Sequence, residues 1–285
     1  MKLPIKTNLN NKTVIVTGGG GILCGMFAKA FAACGANVAV LDLNEAAAEK
    51  VAEEIKNDGG SAKAYKANVL DREGLEKVYD EIKKDFGECD ILLNGAGGNN
   101  PKGSTTKDYL MPEDLEGTAE GIKTFFDLDK NGVQFVFNLN FLGSLIPTQV
   151  FAKDMAKRKN GNIINISSMN AFTPLTRIPA YSGAKAAVSN FTQWLAVHFS
   201  KVNIRVNAIA PGFFLTNQNA ALLLNPDGSY SERAHKIINS TPMERFGKPE
   251  ELIGTLLFLA NDEASGFVNG TVIPVDGGFS AYSGV

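Results

Sequence analysis

Residues 13–42 read TVIVTGGGGILCGMFAKAFAACGANVAVLD: a short β-branched run, a turn packed with glycines, a helical stretch, and a second β-branched run ending on an acid. This order constrains the chain more than any other feature. Two parallel strands cannot be joined by a tight turn, and a helical crossover is the usual connection. The rhythm continues in "DILLN" from 90, "NIINIS" from 162, "NIRVNAIA" from 203 and "TVIPVD" from 271, with helical patterns over 44–57, 71–86, 181–200 and 249–260. Strands that are almost continuously apolar are buried on both faces, so the expected fold class is α/β, a doubly wound parallel sheet with helices on both faces. A length of 285 residues permits a second domain, but one such sheet accommodates it, and a single domain over 1–285 is expected.

Two connections exceed the usual βα length. Residues 98–130 and 212–248 each follow a strand and are rich in polar and turn-forming residues. Long connections in a compact domain commonly serve as lids or binding loops, and these two fall at the carboxyl edge of the sheet, where open α/β folds bind ligands.

The glycine turn makes a nucleotide reading specific. Glycines let the backbone turn sharply and approach a pyrophosphate, while a helix starting near Ile22 offers free N–H groups and a positive dipole end. Gly18, Gly20, Gly21, Ile22 and Leu23 are the expected phosphate contacts. Asp42 closes the second strand, about twenty residues on, where a carboxylate accepts hydrogen bonds from a ribose 2′-hydroxyl and repels a 2′-phosphate. Its neighbours Leu41, Leu43 and Asn44 carry no positive charge, so NAD is expected rather than NADP. A strict G-x-G-x-x-G is absent, since Cys24 takes the third glycine's place.

Composition narrows the partners. Hydrophobic residues make up 44% and charged residues 20% of the chain, the balance of an ordinary globular protein. A net charge of -2 and a pI near 5.8 supply no basic field, so neither nucleic acid nor an anionic membrane is an expected partner. The opening residues lack the apolar run of a signal peptide and no later run suggests a membrane span, which points to the cytoplasm. Cys24, Cys34 and Cys89 share no metal-binding spacing, and His198 and His235 form no cluster with them, so buried reduced thiols and no metal are expected.

Tyr181 and Lys185 lie one helical turn apart on the same face. An isolated phenol is protonated at neutral pH and is a poor base, but a neighbouring ammonium, with the positive nicotinamide of an oxidised cofactor, favours the phenolate and draws the pKa down. Tyr181 is then an expected proton carrier, with Ser168 hydrogen-bonding the same reacting oxygen.

"TGGGG" at 17, "NGAG" at 94, "NFLG" at 140, "INISS" at 164, "YSGAK" at 181 and "PGFFLT" at 211 together resemble the motifs of the short-chain dehydrogenase/reductase family, in order and over nearly the whole chain. The resemblance implies a Rossmann-type fold and a catalytic set of Asn140, Ser168, Tyr181 and Lys185, in which Asn140 keeps a water in line with Lys185. It also implies cofactor contacts from Asn68, Val69, Asn94, Gly95, Ala96, Gly97, Tyr181, Lys185, Pro211, Gly212, Phe214 and Thr216, and a homo-oligomer, dimer or tetramer. The chain departs from the pattern at Ile22 and Cys24, at Asn68, and at Gly95, which replaces an asparagine.

More narrowly, "GGNNPKGSTT", "SSMNAFTPLTRIPAYS" and "VDGGFSAYSGV" are similar to segments of the D-mannonate oxidoreductase subgroup, also called fructuronate reductases. A sugar-acid substrate needs a cation and several polar partners. Arg177, with Lys102, Asn99, Asn100 and Asn170, are the candidates, although Arg177 reads equally as a solvated loop residue. Met111, Phe125 and Phe126 read as a pocket wall or as a small core of their own loop. Oxidation of another polyol, aldonate or secondary alcohol is the alternative, and a non-catalytic NAD-binding partner protein a more distant one.

Overall fold

A computed structural model describes residues 7–116, 120–216 and 219–284; parts of both long connections and of the opening stretch lie outside the described residues. Seven strands form one sheet in the order β3-β2-β1-β4-β5-β6-β7. They are β1 Thr13–Thr17, β2 Asn37–Asp42, β3 Ser61–Lys66, β4 Ile91–Asn94, β5 Gly161–Ile166, β6 Ile204–Pro211 and β7 Val272–Val275. Every pairing is parallel. Ten α-helices accompany them among the described residues: α1 Ile22–Ala33, α2 Glu45–Asn57, α3 Arg72–Asp85, α4 Lys130–Phe137, α5 Gly143–Arg158, α6 Pro179–His198, α7 Ala220–Leu223, α8 Glu232–Asn239, α9 Ile253–Ala260 and α10 Asp262–Ser265.

Side chains alternate across a strand, and here both faces are filled. Val14, Val16, Val38 and Val40 join Phe27, Phe31, Leu256 and Leu259 in one core, beneath α1, α2 and α9. Ile15, Leu41, Leu92 and Ile163 turn the other way, onto Leu75, Phe151, Met155 and Leu195 of α3, α5 and α6. Each such side chain contributes roughly 1.5–3 kcal/mol on burial, which is why these strands read as unbroken apolar runs.

Two expectations need correction. The strand "SAKAYK" was not anticipated: it lies at one edge of the sheet, only Ala62 and Tyr65 in it are buried, and it lacks a β-branched run. The helical run Lys130–Arg158 is long and apolar enough, by length and composition, to cross a membrane, contrary to the expectation that no run suggests a span. Half of its most apolar window is buried inside the fold, where Phe151 and Met155 fill the core.

The order of strands reverses between β3 and β4, so a crevice opens at the carboxyl ends of β1 and β4. The glycine turn, the residues after β4, β5 and β6, and both long connections meet at this edge.

Candidate active site

The glycine turn presses against the β4 exit. Gly18 has φ +66, and a side chain there would meet the Ala96 Cα at 2.9 Å. Thr17 Oγ1 accepts hydrogen bonds from Gly95 N at 3.1 Å and Ala96 N at 3.3 Å, tying the ends of β1 and β4 together. α1 begins after Gly21, which offers no side-chain cap, and has no acid in its first turn, leaving its positive end open to an anion. Asp42 is half-buried at the end of β2, where Oδ2 accepts from Gly20 N at 3.0 Å and Oδ1 from Asn44 N at 2.9 Å. An uncapped helix start beside a carboxylate fits the pyrophosphate and ribose of a dinucleotide.

The departures at Cys24 and Gly95 explain each other. A Cβ on Gly95 would fall within 2.2 Å of Cys24 Sγ, so the thiol occupies the room that a side chain at 95 would need. Burial pushes this thiol up to about 12, which makes it a small packing group. Cys24 and Cys89 are buried and Cys34 is half-buried; all three are free.

Asn140 sits in a π-helical turn, Asn138–Leu142, between α4 and α5. A widened turn leaves carbonyls unpaired and re-aims a side chain. The fully buried Asn140 donates through Nδ2 to Val136 O at 2.8 Å and Gly98 O at 2.7 Å, and its Oδ1 accepts from Gly98 N at 3.3 Å. The hydroxyls of Ser144 and Thr148 bond back to Asn140 O at 2.9 Å and Ser144 O at 2.7 Å. Gly97 is wedged alongside: a Cβ there would lie 2.7 Å from Asn140 Oδ1 and 3.2 Å from Lys185 Nζ.

Ser168 lies just beyond β5 and caps the short turn Met169–Ala171. Tyr181 and Lys185 occupy the first turns of α6, whose start is set by Pro179. Lys185 is buried, its Nζ donates to Ile166 O at 2.8 Å, and it stands 5.6 Å from the centre of the Tyr181 ring. Here the electrostatic expectation is corrected. Burial around the Tyr181 hydroxyl raises its pKa, and a hydrogen bond with Ser168 only partly opposes that. Burial likewise lowers the Lys185 ammonium from 10.5 to about 8. Desolvation, rather than attraction between the two, dominates both groups. The site therefore holds a neutral phenol beside a lysine that loses its proton readily.

The other anticipated residues divide. The β6 exit is compact: Gly212 N donates to Val275 O at 3.0 Å, directly after Pro211, and Thr216 N to Asn219 Oδ1 at 2.8 Å. Val69 packs beneath Gly143, and Asn68 Oδ1 closes its own turn on Leu70 N at 3.0 Å. The Asn94 Nδ2 is engaged inside the fold, donating to Thr148 Oγ1 at 3.0 Å and Asn165 Oδ1 at 2.9 Å, while its buried Oδ1 has no partner among the described residues, and Phe214 is buried in the core. Asn99 donates to Ser104 Oγ at 3.2 Å and Asn100 accepts from Lys102 N at 2.9 Å, both within their own loop. Asn170 is buried beside Ser168, and its side-chain oxygen finds no partner among the described residues. Met111, Phe125 and Phe126 are exposed and form no core of their own.

Arg177 is engaged: its Nε donates to Asp108 Oδ1 at 2.6 Å, while Lys236 Nζ donates to Asp108 Oδ2 at 2.6 Å. Sequence reasoning missed Thr17, Asp108 and Lys236. Only Thr17, at a strand end ahead of glycines, carried a local signal; the other two are charged residues of long connections.

Comparison with known proteins adds four findings. The family model for short chain dehydrogenase matches residues 12–226. The chain is 63% identical to a Haemophilus influenzae protein described as an uncharacterized oxidoreductase, over 100% of the chain and 99% of that protein. It is 50% identical to the uncharacterized oxidoreductase UxuB of Bacillus subtilis, over 99% and 100%. A crystal structure from Haemophilus influenza, provisionally named D-mannonate oxidoreductase and holding NAD, is similar at 62% identity and TM-score 0.93, with 100% of both chains covered. With this match over most of its length and the Ser168, Tyr181 and Lys185 cluster at the sheet's carboxyl edge, the chain belongs to the short-chain dehydrogenase family.

Proposed function

We propose that the protein is an NAD-dependent oxidoreductase that interconverts D-mannonate and D-fructuronate. The observation that carries this reading is full-length similarity, at 62% identity, to an NAD-bound structure provisionally named for mannonate oxidation. Gly20, Gly21, Ile22 and Leu23 would hold the pyrophosphate and Asp42 the adenosine ribose, and the uncapped start of α1 favours that placement. Asn68 and Val69 border the adenine, Gly95–Gly97 with Pro211, Gly212, Phe214 and Thr216 border the nicotinamide half, and Lys185 holds its ribose. NAD supplies hydride chemistry to such a site.

The protein's own part is proton transfer and orientation. Tyr181 carries a neutral phenol, so in carbonyl reduction it donates its proton to the substrate oxygen without prior change. The Ser168 hydroxyl steadies the same oxygen as charge develops. Lys185, close to neutrality at about 8, reprotonates the tyrosine, and Asn140 fixes the Gly97–Gly98 backbone that walls the lysine in. The unpaired Asn170 oxygen offers an acceptor to a substrate hydroxyl. Arg177, Asn99 and Asn100 would supply further polar partners for a sugar acid. We also take the enzyme to be a cytoplasmic homo-oligomer, dimer or tetramer. An exposed aromatic row supports association: Trp194 is stacked on both Phe191 and His198 along α6.

A neutral polyol or ketose is the second reading, favoured by one observation: Arg177 already holds a carboxylate, that of Asp108. The deciding experiment follows NADH consumption with a panel of keto-uronates and neutral ketoses. Turnover of fructuronate and not fructose is expected; the reverse preference would replace the first reading by the second.

A further inference from the structure

Asp108, from the first long connection, is held by three donors on two other segments. Arg177 Nε at 2.6 Å and Thr176 Oγ1 at 3.1 Å reach its Oδ1, and Lys236 Nζ of α8 reaches its Oδ2 at 2.6 Å. These residues line a cavity of about 490 Å³ whose wall also includes Ile178, just ahead of α6, and Phe213 and Phe279, which follow β6 and β7. The cavity therefore opens on the carboxyl edge of the sheet, on the same side as Tyr181.

Two cations from separate segments converging on one carboxylate make a receptor for a carboxylate of any origin. The present occupant is weakly retained. Arg177 and Lys236 are 44% and 66% exposed, and ion pairs this open to water contribute little net stability. Tyr109, Leu110 and Met111, next along the chain, are exposed, so withdrawing Asp108 uncovers no core. The two cations nevertheless hold its carboxyl well below the usual carboxylate range, so Asp108 is an anion at any working pH. Glu232 and Arg233 also line the cavity, one charge of each sign, and leave the net attraction for an anion to Arg177 and Lys236.

We propose that Arg177 and Lys236 are the receptor for the carboxylate of the substrate, and that Asp108 occupies it as an internal surrogate that an acid substrate displaces. This inference rests on the sugar-acid reading and deepens it: Asp108 becomes a specificity-determining residue, screening the cations from neutral sugars and exchanging only with another carboxylate.

The test uses the full chain with NADH bound and malonate as the carboxylate probe, read as competitive inhibition and as a shift in melting temperature. A receptor filled most of the time by its own surrogate binds an outside ligand about tenfold more weakly than an empty one. Asp108→Asn and Asp108→Ser should therefore each bind malonate about tenfold more tightly than the parent, and the gain should vanish in Asp108→Asn combined with Arg177→Gln or Lys236→Gln. In the same variants the ratio of KM for fructuronate to KM for a neutral ketose should fall. Malonate affinity unchanged or weakened by loss of Asp108, or a gain that survives loss of either cation, would overturn the proposal. Should the parent turn over neutral ketoses alone, the sugar-acid reading fails, while the malonate measurement still judges the receptor by itself.

Discussion

Tyr181 and Lys185 show how far burial can outweigh a neighbouring charge. With the phenol raised and the ammonium lowered, the pair is set for proton donation to a carbonyl. Tyr181→Phe removes the only hydroxyl of that residue while keeping its ring, and should lower kcat by about 10²–10⁴-fold with NADH affinity, read by fluorescence titration, unchanged. Lys185 carries a cost that depends on pH. Its folded pKa, about 8, lies below the ordinary 10.5, so between these values the unfolded chain binds the extra proton and stability rises with pH; below 8 the full cost is present. That cost is about 3 kcal/mol. Lys185→Met should accordingly be inactive yet melt higher than the parent at pH 7, and its advantage should shrink as pH climbs from 8 toward 10.5. A constant difference across that range would place the lysine's cost elsewhere. Among residues, Ser168, Tyr181 and Lys185 were singled out by type and spacing and Asn140 by the family resemblance, and the structure brings the first three together. The roles of Asp108 and Lys236 were not legible, because a salt bridge across 128 residues of chain leaves no local trace.

At the scale of elements, β1, β2 and β4–β7 were legible as β-branched runs, whereas β3, at an edge, carries two exposed lysines and no β-branched residue to mark it. The caps of α2 and α3 are conventional: Asn44 accepts from Ala47 N and Asp71 from Gly74 N. α1 differs in lacking any side-chain cap, and the same absence opens its end to phosphate. Packing between α1 and the β4 exit depends on a matched pair, since Cys24 fills the space that Gly95 vacates. Gly95→Asn should overpack that contact and cost about 1–3 kcal/mol, seen as a lower melting temperature. Adding Cys24→Gly should recover part of the loss, because the two positions share one space while a Cβ at 95 would still lie 2.9 Å from the Thr17 backbone oxygen. Failure of the second change to rescue the first would mean that the strand exit, and not the thiol, limits the site. The π-helical turn at Asn140 was also out of reach of periodicity, which marks no extra residue such as the one that turns Asn140 onto Gly98.

Across the whole molecule, one rule of chain geometry carries most of the architecture. Parallel strands joined by helices must twist and cross over in one hand, so the glycine turn and the exits of β4, β5 and β6 are bound to meet at one edge. The run Lys130–Arg158 illustrates the limit of composition: apolar enough for a membrane, it serves as a core helix because the sheet offers Phe151 and Met155 a dry face. The sequence by itself determined the sheet and the cofactor edge, since these follow from periodicity and glycine placement along neighbouring stretches. Only the tertiary structure decided the protonation of Tyr181 and Lys185, the partnership of Cys24 with Gly95, and the capture of Arg177 by Asp108. Desolvation, steric fit and long-range ion pairing are properties of what surrounds a side chain, and the surroundings are assembled only when distant segments close on one another.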